Sequence, residues 1–391
     1  MHEVIIMGRE TKHSSNRIVF LVAYTLFVLS YFVMDIEQNT YDFSTVSSLI
    51  RYAALIVGII GCFVVRKITM NNLKIFLIVF AFGLFSFIFT HSTFFMGVGI
   101  LSLYAYKIND KEIVALTLKI VLISTIAVIL LQFAGVFENV LTKRWLYSNE
   151  AGRNSYGFGH SNMLPLIFMY ITAYSIIIKK KTIKLGRLLI YALIAILIYI
   201  HCDSRNAFFV TLLMCFLVLL NKYFVRSRRL KKVVGFLAKY IVAVCAIFSI
   251  LASLAITKIP ALNQIDFLLS NRLSYSSQMF KKYGVHLVTH IDKEVYLSDS
   301  VILDNGYILT TVRYGLVYVI ILVIISYFLG KKIQDDVYLS IVMVAISMSN
   351  FIDNDLFDYS CLPFMLIAIK ATLGSRSLKT LHKKQAILRI N

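Results

Sequence analysis

The chain has 391 residues, 59% of them hydrophobic and 15% charged, with a mean hydropathy of +0.78. That composition lies outside the range of soluble domains and points to a membrane. The net charge of +20 would suit nucleic acid, but basic loops facing anionic cytoplasmic lipid account for it. No basic stripe interleaved with exposed aromatics accompanies it, so nucleic acid is not an expected partner.

Twelve hydrophobic stretches follow one another, at roughly 18–35, 46–65, 73–91, 93–106, 113–137, 163–178, 185–201, 207–224, 233–257, 301–329, 337–351 and 359–373. Backbone polar groups must be satisfied inside the hydrocarbon, so these predict helices and an all-α polytopic membrane protein of about twelve spans. The seventeen mostly polar residues before the first stretch carry no small-residue cleavage site. The first stretch therefore reads as an uncleaved anchor. The fourth is short and holds Gly97 and Gly99, which suits a tilted or re-entrant piece. Five cysteines, at 62, 202, 215, 245 and 361, match no metal spacing and are expected as free thiols.

Charge sorts the connections. With the N-terminus cytoplasmic, the inside loops and tails, counted with the span ends that adjoin them, hold 27 Lys/Arg, the outside loops 9 and the span interiors 4, which sums to the 40 present. Basic residues near short loops stay cytoplasmic during insertion, so the bias predicts both termini inside. Acidic residues divide the other way, 14 outside and 6 inside. Arg153, Arg205 and Arg272 fall on the disfavoured side, where a cation usually has something anionic to hold. Two outer connections are long, 138–162 and 258–300, and long ordered loops are commonly functional. In the larger, Ile265, Leu268, Leu269, Leu273, Met279 and Phe280 have a helical spacing that predicts an amphipathic helix on the outer membrane surface, after Pro260 and Asn263 and ended by Gly284. The chain reads as a single membrane domain, 1–391, with 258–300 as its large extracytoplasmic loop.

Five constellations could carry chemistry. The segment Gly152-Arg153-Asn154-Ser155-Tyr156-Gly157-Phe158-Gly159-His160-Ser161-Asn162 precedes the sixth span. It reads either as an anion cradle, with Arg153 aimed at phosphate and Asn162 or Ser161 capping the next helix, or as a glycine-rich turn with a routine cap. In Asp203-Ser204-Arg205-Asn206 the arginine pairs with Asp203, points into a cavity or anchors the interface. Asn271-Arg272 lies in the large loop. Asp304-Asn305-Gly306-Tyr307, followed by Arg313-Tyr314-Gly315, opens the tenth span. A carboxylate and an arginine there are costly unless paired or facing a wet cavity, although Asp304 also suits a plain helix cap. Asp353-Asn354-Asp355 with Asp358 reads as a solvated turn or a divalent-metal pair; no metal or cofactor is called for. His91, His201, His286 and His290 have no ligand spacing to one another.

Taken in order, these pieces resemble the membrane oligosaccharide-repeat-unit polymerases and O-antigen ligases (Wzy-type), particularly capsule and exopolysaccharide polymerases of Gram-positive bacteria. The resemblance rests on R-N-S-Y-G-F-G-H-S-N at 153–162, D-S-R-N-A at 203–207, N-R at 271–272, D-N-G-Y…R-Y-G at 304–315 and the acidic turn at 353–358. It implies a GT-C-like glycosyltransferase in a bacterial plasma membrane, with an extracytoplasmic active site. Its substrates would be oligosaccharides on undecaprenyl diphosphate, and its partners a chain-length regulator and a flippase. The resemblance gives Arg153, Arg205 and Arg272 the lipid diphosphate. Asp304 is the first candidate base, with His160 and Glu150 behind it, and Asn154, Asn162, Asn305, Tyr307 and Arg313 contact substrate. Two departures stand out. Asp304 lies where ligase-type members often have histidine, and Arg272 to Gly284 is one residue longer than the R-x10-G spacing of some polymerases. A ligase and a twelve-span flippase are the alternatives; against the flippase, the halves do not match and the large loop breaks any symmetry.

Overall fold

The computed structural model describes residues 2–371 apart from 38, 40, 65–69, 91, 107, 142–151, 181, 225–227, 290 and 292–303. Among the described residues the chain is all-helical, with a lone β-bridge between Ile36 and Phe158. Among the described residues, seven helices are long and apolar enough to cross a membrane: Asn16–Asp35, Ser44–Gly61, Asp110–Phe133, Leu185–Cys202, Arg205–Tyr223, Arg229–Ala255 and Leu316–Ile333. Five shorter apolar helices accompany them: Leu77–Thr90, Phe94–Ala105, Met163–Lys179, Val337–Ser349 and Leu362–Ala371. Their outer faces stay apolar. On the seventh helix Leu189, Ile190, Leu193, Leu197 and Ile200 are all at least half exposed, a stripe that water would not tolerate and lipid accepts.

The chain forms two compact units. Unit one comprises the described parts of Met1–Thr69, Lys107–Ser227 and Phe357–Pro363. Its helices are α1 (His2–Phe32), α2 (Ser44–Val64), with α5 (Asp110–Phe133), α6 (Met163–Lys179), α7 (Leu185–Cys202) and α8 (Arg205–Leu219), the last extended by a π turn to Phe224. α1 packs on α2 and α5, α5 on α6, and α6 on α7 and α8. Between α1 and α5 the Tyr24 and Thr117 hydroxyls meet at 2.6 Å, and Arg17, midway along α1, pairs with Glu112 in the first turn of α5 at 2.6 Å. The opposite end of this unit gathers Asp35, Asn139, Arg153 and Cys202.

Unit two holds α3 (Met70–Thr90), α4 (Phe94–Ala105), α9 (Arg228–Ala255), α10 (Ala261–Leu268), α11 (Arg272–Tyr283), α12 (Gly306–Arg313), α13 (Leu316–Ile333) and α14 (Val337–Ser349). α9 is its axle, packed on α11, α12, α13 and α14. At Gly330 of α13 a Cβ would collide with the Ala238 backbone of α9, a small-residue contact that lets the two helices touch main chain to main chain.

Two expectations change here. The tenth stretch is not one span but α12 and α13, broken at Gly315, whose φ is +100° and where an added Cβ would lie 2.5 Å from the Leu287 oxygen, so that only glycine fits. The amides freed by the break are taken up by an adjoining strap: Leu316 N donates to His286 O (2.9 Å) and Val317 N to Leu287 O (3.0 Å). The single surface helix of the large loop is instead two helices. Leu273, Met279 and Phe280 of α11 turn into the unit, against Ala252, Ile256, Ile308 and Val312. Burial against α9 and α12 thus claims the α11 part of the apolar stripe that the spacing alone assigned to lipid, while Ile265 and Leu268 of α10 stay exposed. Gly284 (φ +74°) closes α11.

Candidate functional site

Unit one carries the 152–162 loop, and the fold holds it from several sides. Asn139, just after α5, accepts from the Ser155 amide (2.9 Å) and the Tyr156 amide (3.1 Å), while its own amide donates to Asn154 Oδ1 (2.7 Å). Val140 N donates to Ser155 Oγ at 2.9 Å. From the end of α1, Asp35 O accepts from Gly159 N (2.9 Å) and Glu37 N donates to Gly157 O (3.0 Å). Phe158, fully buried, lies edge-on to Phe32. Tyr156 and Gly157 both have positive φ, so the chain doubles back here.

Arg153 is half-buried within this frame. Its Nε donates to the Cys202 carbonyl at the end of α7 (2.9 Å), and an Nη donates to Asn162 Oδ1. The fork therefore ties α7 to the start of α6. Asn162 was expected to cap α6, but its side chain makes no cap bond, because its oxygen serves Arg153. Asn154 faces the fold as well, its backbone amide donating to His201 O at 3.1 Å. It braces the loop. His160 is exposed, and its Nδ1 accepts from Asn162 N at 3.1 Å. Arg205 stands exposed in the first turn of α8. Tyr156, outside the spans, has its hydroxyl pushed up, chiefly by burial and secondarily by the Cys202 thiol.

Unit two carries the ion pair. Arg272 Nη2 lies 3.0 Å from Asp304 Oδ2, with side chains 18% and 31% exposed, so neither is in bulk water. Arg272 Nε is buried without a hydrogen-bond partner among the described residues. Asp304 does not cap α12. Asn305 does, with Oδ1 accepting from Tyr307 N (3.0 Å) and Ile308 N (3.1 Å), and its amide donating to Ser249 Oγ (3.0 Å) and Phe351 O (2.8 Å). Asn305 and Tyr307 were expected to contact substrate; both are core residues, and the Tyr307 hydroxyl donates to Ser347 O at 3.0 Å. Capping by Asn305 leaves the Asp304 carboxylate to Arg272. Arg313, at the end of α12, lies 5.2 Å from the Tyr314 ring centroid and has a buried Nε without a partner among the described residues.

The acidic turn is not solvated: Asp353 and Asp355 are 8% and 6% exposed. The Asp353 and Asn350 carbonyls both accept from Gly306 N at 3.0 Å, so this turn seats the start of α12. Glu150, His91 and His290 lie outside the described residues.

Two residues that matter were not visible from the spacing. Asn139 is one of many polar loop residues, and nothing local marks it. Asp266 is 4% exposed and caps α11 from the preceding helix. Its signal was faint, a carboxylate within Ile265-Asp266-Phe267. Between it and Arg272, Ser270 and Asn271 have φ of +56° and +63°, a conformation costing non-glycine residues about 1–3 kcal/mol each.

Comparisons of the chain with protein-family models, with curated proteins and with solved structures find no match.

Proposed function

We propose that this protein is a membrane glycosyltransferase that polymerises oligosaccharide repeat units carried on undecaprenyl diphosphate, on the outer face of a bacterial cytoplasmic membrane, with both termini inside. The observation that carries this reading is the Arg272–Asp304 pair, a half-buried guanidinium with an unspent Nε beside a carboxylate that caps nothing. In unit two it lies at the end of α9 opposite the basic cluster where Lys231 meets Asp335. The charge bias of the loops makes that basic end cytoplasmic.

In the step proposed, a hydroxyl oxygen of the incoming lipid-linked unit attacks C1 of the growing chain's lipid-linked sugar from the face opposite the diphosphate. The C1–O bond breaks, its electron pair leaves with the lipid diphosphate, and the anomeric centre inverts. Negative charge builds on the leaving oxygen, where a placed cationic donor contributes roughly 3–4 kcal/mol. The arriving diphosphate competes with Asp304 for Arg272. The carboxylate so released accepts the attacking hydroxyl's proton. No nucleotide is consumed, because the diphosphate lipid is already a good leaving group. The family resemblance also gives lipid diphosphate to Arg153 and Arg205; within unit one Arg205 is the exposed cation, while Arg153 is tied to two helix ends.

The test is incubation of the purified protein with lipid-linked repeat units in detergent. A ladder of products rising by one unit is expected. Transfer only to a different acceptor would make it a ligase. Unaltered oligosaccharide that nonetheless crosses the bilayer of reconstituted vesicles would make it a transporter.

A further inference from the structure

We infer that Asp266 is the positioning residue for Arg272, locking the turn from which that guanidinium projects; the inference rests on the reading of Arg272 just given. The turn is unusual in its chemistry. Ser270 and Asn271 both hold left-handed backbone (φ +56° and +63°) with no glycine present, and such residues persist only where their surroundings over-determine them. Asn271 occupies the cap position of α11, yet its side chain makes no cap bond.

Asp266 supplies what is missing. Its Oδ1 accepts from Leu273 N at 2.7 Å and Ser274 N at 3.3 Å, and its Oδ2 accepts from the Ser274 hydroxyl. Its backbone carbonyl accepts from Asn271 N at 2.8 Å. The residue therefore grips the chain on both sides of Arg272, whose amide and one Nη reach back to Leu269 O, each at 3.4 Å.

A surface cap from Asn271 would have served α11 without burying a charge. Burying a carboxylate is costly unless its oxygens are satisfied, and here they are satisfied by the residues that follow Arg272. The arrangement fixes the direction of the first α11 residue, and with it the 3.0 Å approach of Arg272 to Asp304. Without the carboxylate the strained turn relaxes to ordinary backbone and the guanidinium swings away from α12.

The full-length protein carrying Arg272→Cys and Asp304→Cys on a Cys62→Ser background tests this with a short bismaleimide bridge, since the other four cysteines, Cys202, Cys215, Cys245 and Cys361, are buried. Bridging is expected with Asp266 present. It should fall about tenfold in Asp266→Ala, in the range of a lost cap, and largely return in Asp266→Asn, which keeps an acceptor for both amides. Unchanged bridging in Asp266→Ala overturns the proposal. If that variant does not fold, Ser274→Ala, which removes a single donor, is expected to lower bridging by about twofold to threefold, and no change there overturns the proposal as well. In the otherwise native chain, Asp266→Ala should lower kcat for chain lengthening with the amount of inserted protein unchanged. Bridging lost with kcat intact would keep Asp266 as the positioning residue and sink the role given to Arg272.

Discussion

The two arginine sites are held by different means. In unit one Arg153 is tied to a backbone carbonyl and an amide oxygen, both belonging to helix ends, inside a loop that Asn139 and Asp35 also stitch. In unit two Arg272 meets a side chain, the Asp304 carboxylate, across 32 residues of sequence, and keeps one nitrogen unspent. An arginine bonded to scaffold oxygens is part of the architecture. One paired with a carboxylate that caps nothing is, in the function proposed, the one that exchanges its partner for another anion. Architecture and chemistry should therefore come apart on mutation.

The largest separation is expected from Arg272→Ala. Chain lengthening should fall about 100-fold or more, the loss typical of a transition-state donor, while the amount of inserted, folded protein stays at the native level. Normal product lengths from this variant would break the comparison at its functional end. Next comes Asn139→Ala, which strips the acceptor from two loop amides and should cost roughly 1–3 kcal/mol of stability, read from thermal unfolding in detergent. An unshifted transition would mean that the unit-one loop is not held as described. Arg153→Lys sharpens the contrast, because an ammonium cannot serve the Cys202 and Asn162 oxygens as a planar fork does. We expect a loss of about 1 kcal/mol in stability, whereas Arg272→Lys should leave unfolding unaltered.

The smallest effect concerns Asp42, which is fully exposed before α2. The Ser44 hydroxyl and amide hold its carboxyl below the ordinary range. A depressed pKa contributes stability above the unfolded value of about 3.9 and loses it as pH falls through the folded one. Exchange of the Ser44 amide should quicken as the pH drops below about 4; an exchange rate showing only the usual acid slowing would remove this cap.

Much of this was legible beforehand because it is written in local composition. The helices, the charge bias and the candidacy of Arg272 and Asp304 all follow from residues within a turn or two of each other. Among the described residues the twelve stretches correspond to helices except at Gly315, where the hydropathy of the tenth stretch hides a break that only the 285–289 strap makes tolerable. The capping roles were harder. Asp304 and Asn162 each look like a cap by position, yet Asn305 caps α12 and the Asn162 oxygen is taken by Arg153, while α11 is capped by Asp266 from the preceding helix.

The sequence by itself determined the solvent of this protein, because a bilayer accepts only backbones that satisfy themselves, and it determined which cations fall against the charge bias. Tertiary structure alone decided which of those cations is tied into the scaffold and which is paired with a carboxylate. Those partners lie 32 and 49 residues apart in the chain for Arg272 with Asp304 and Arg153 with Cys202. Helical periodicity repeats every few residues and carries no information over such distances.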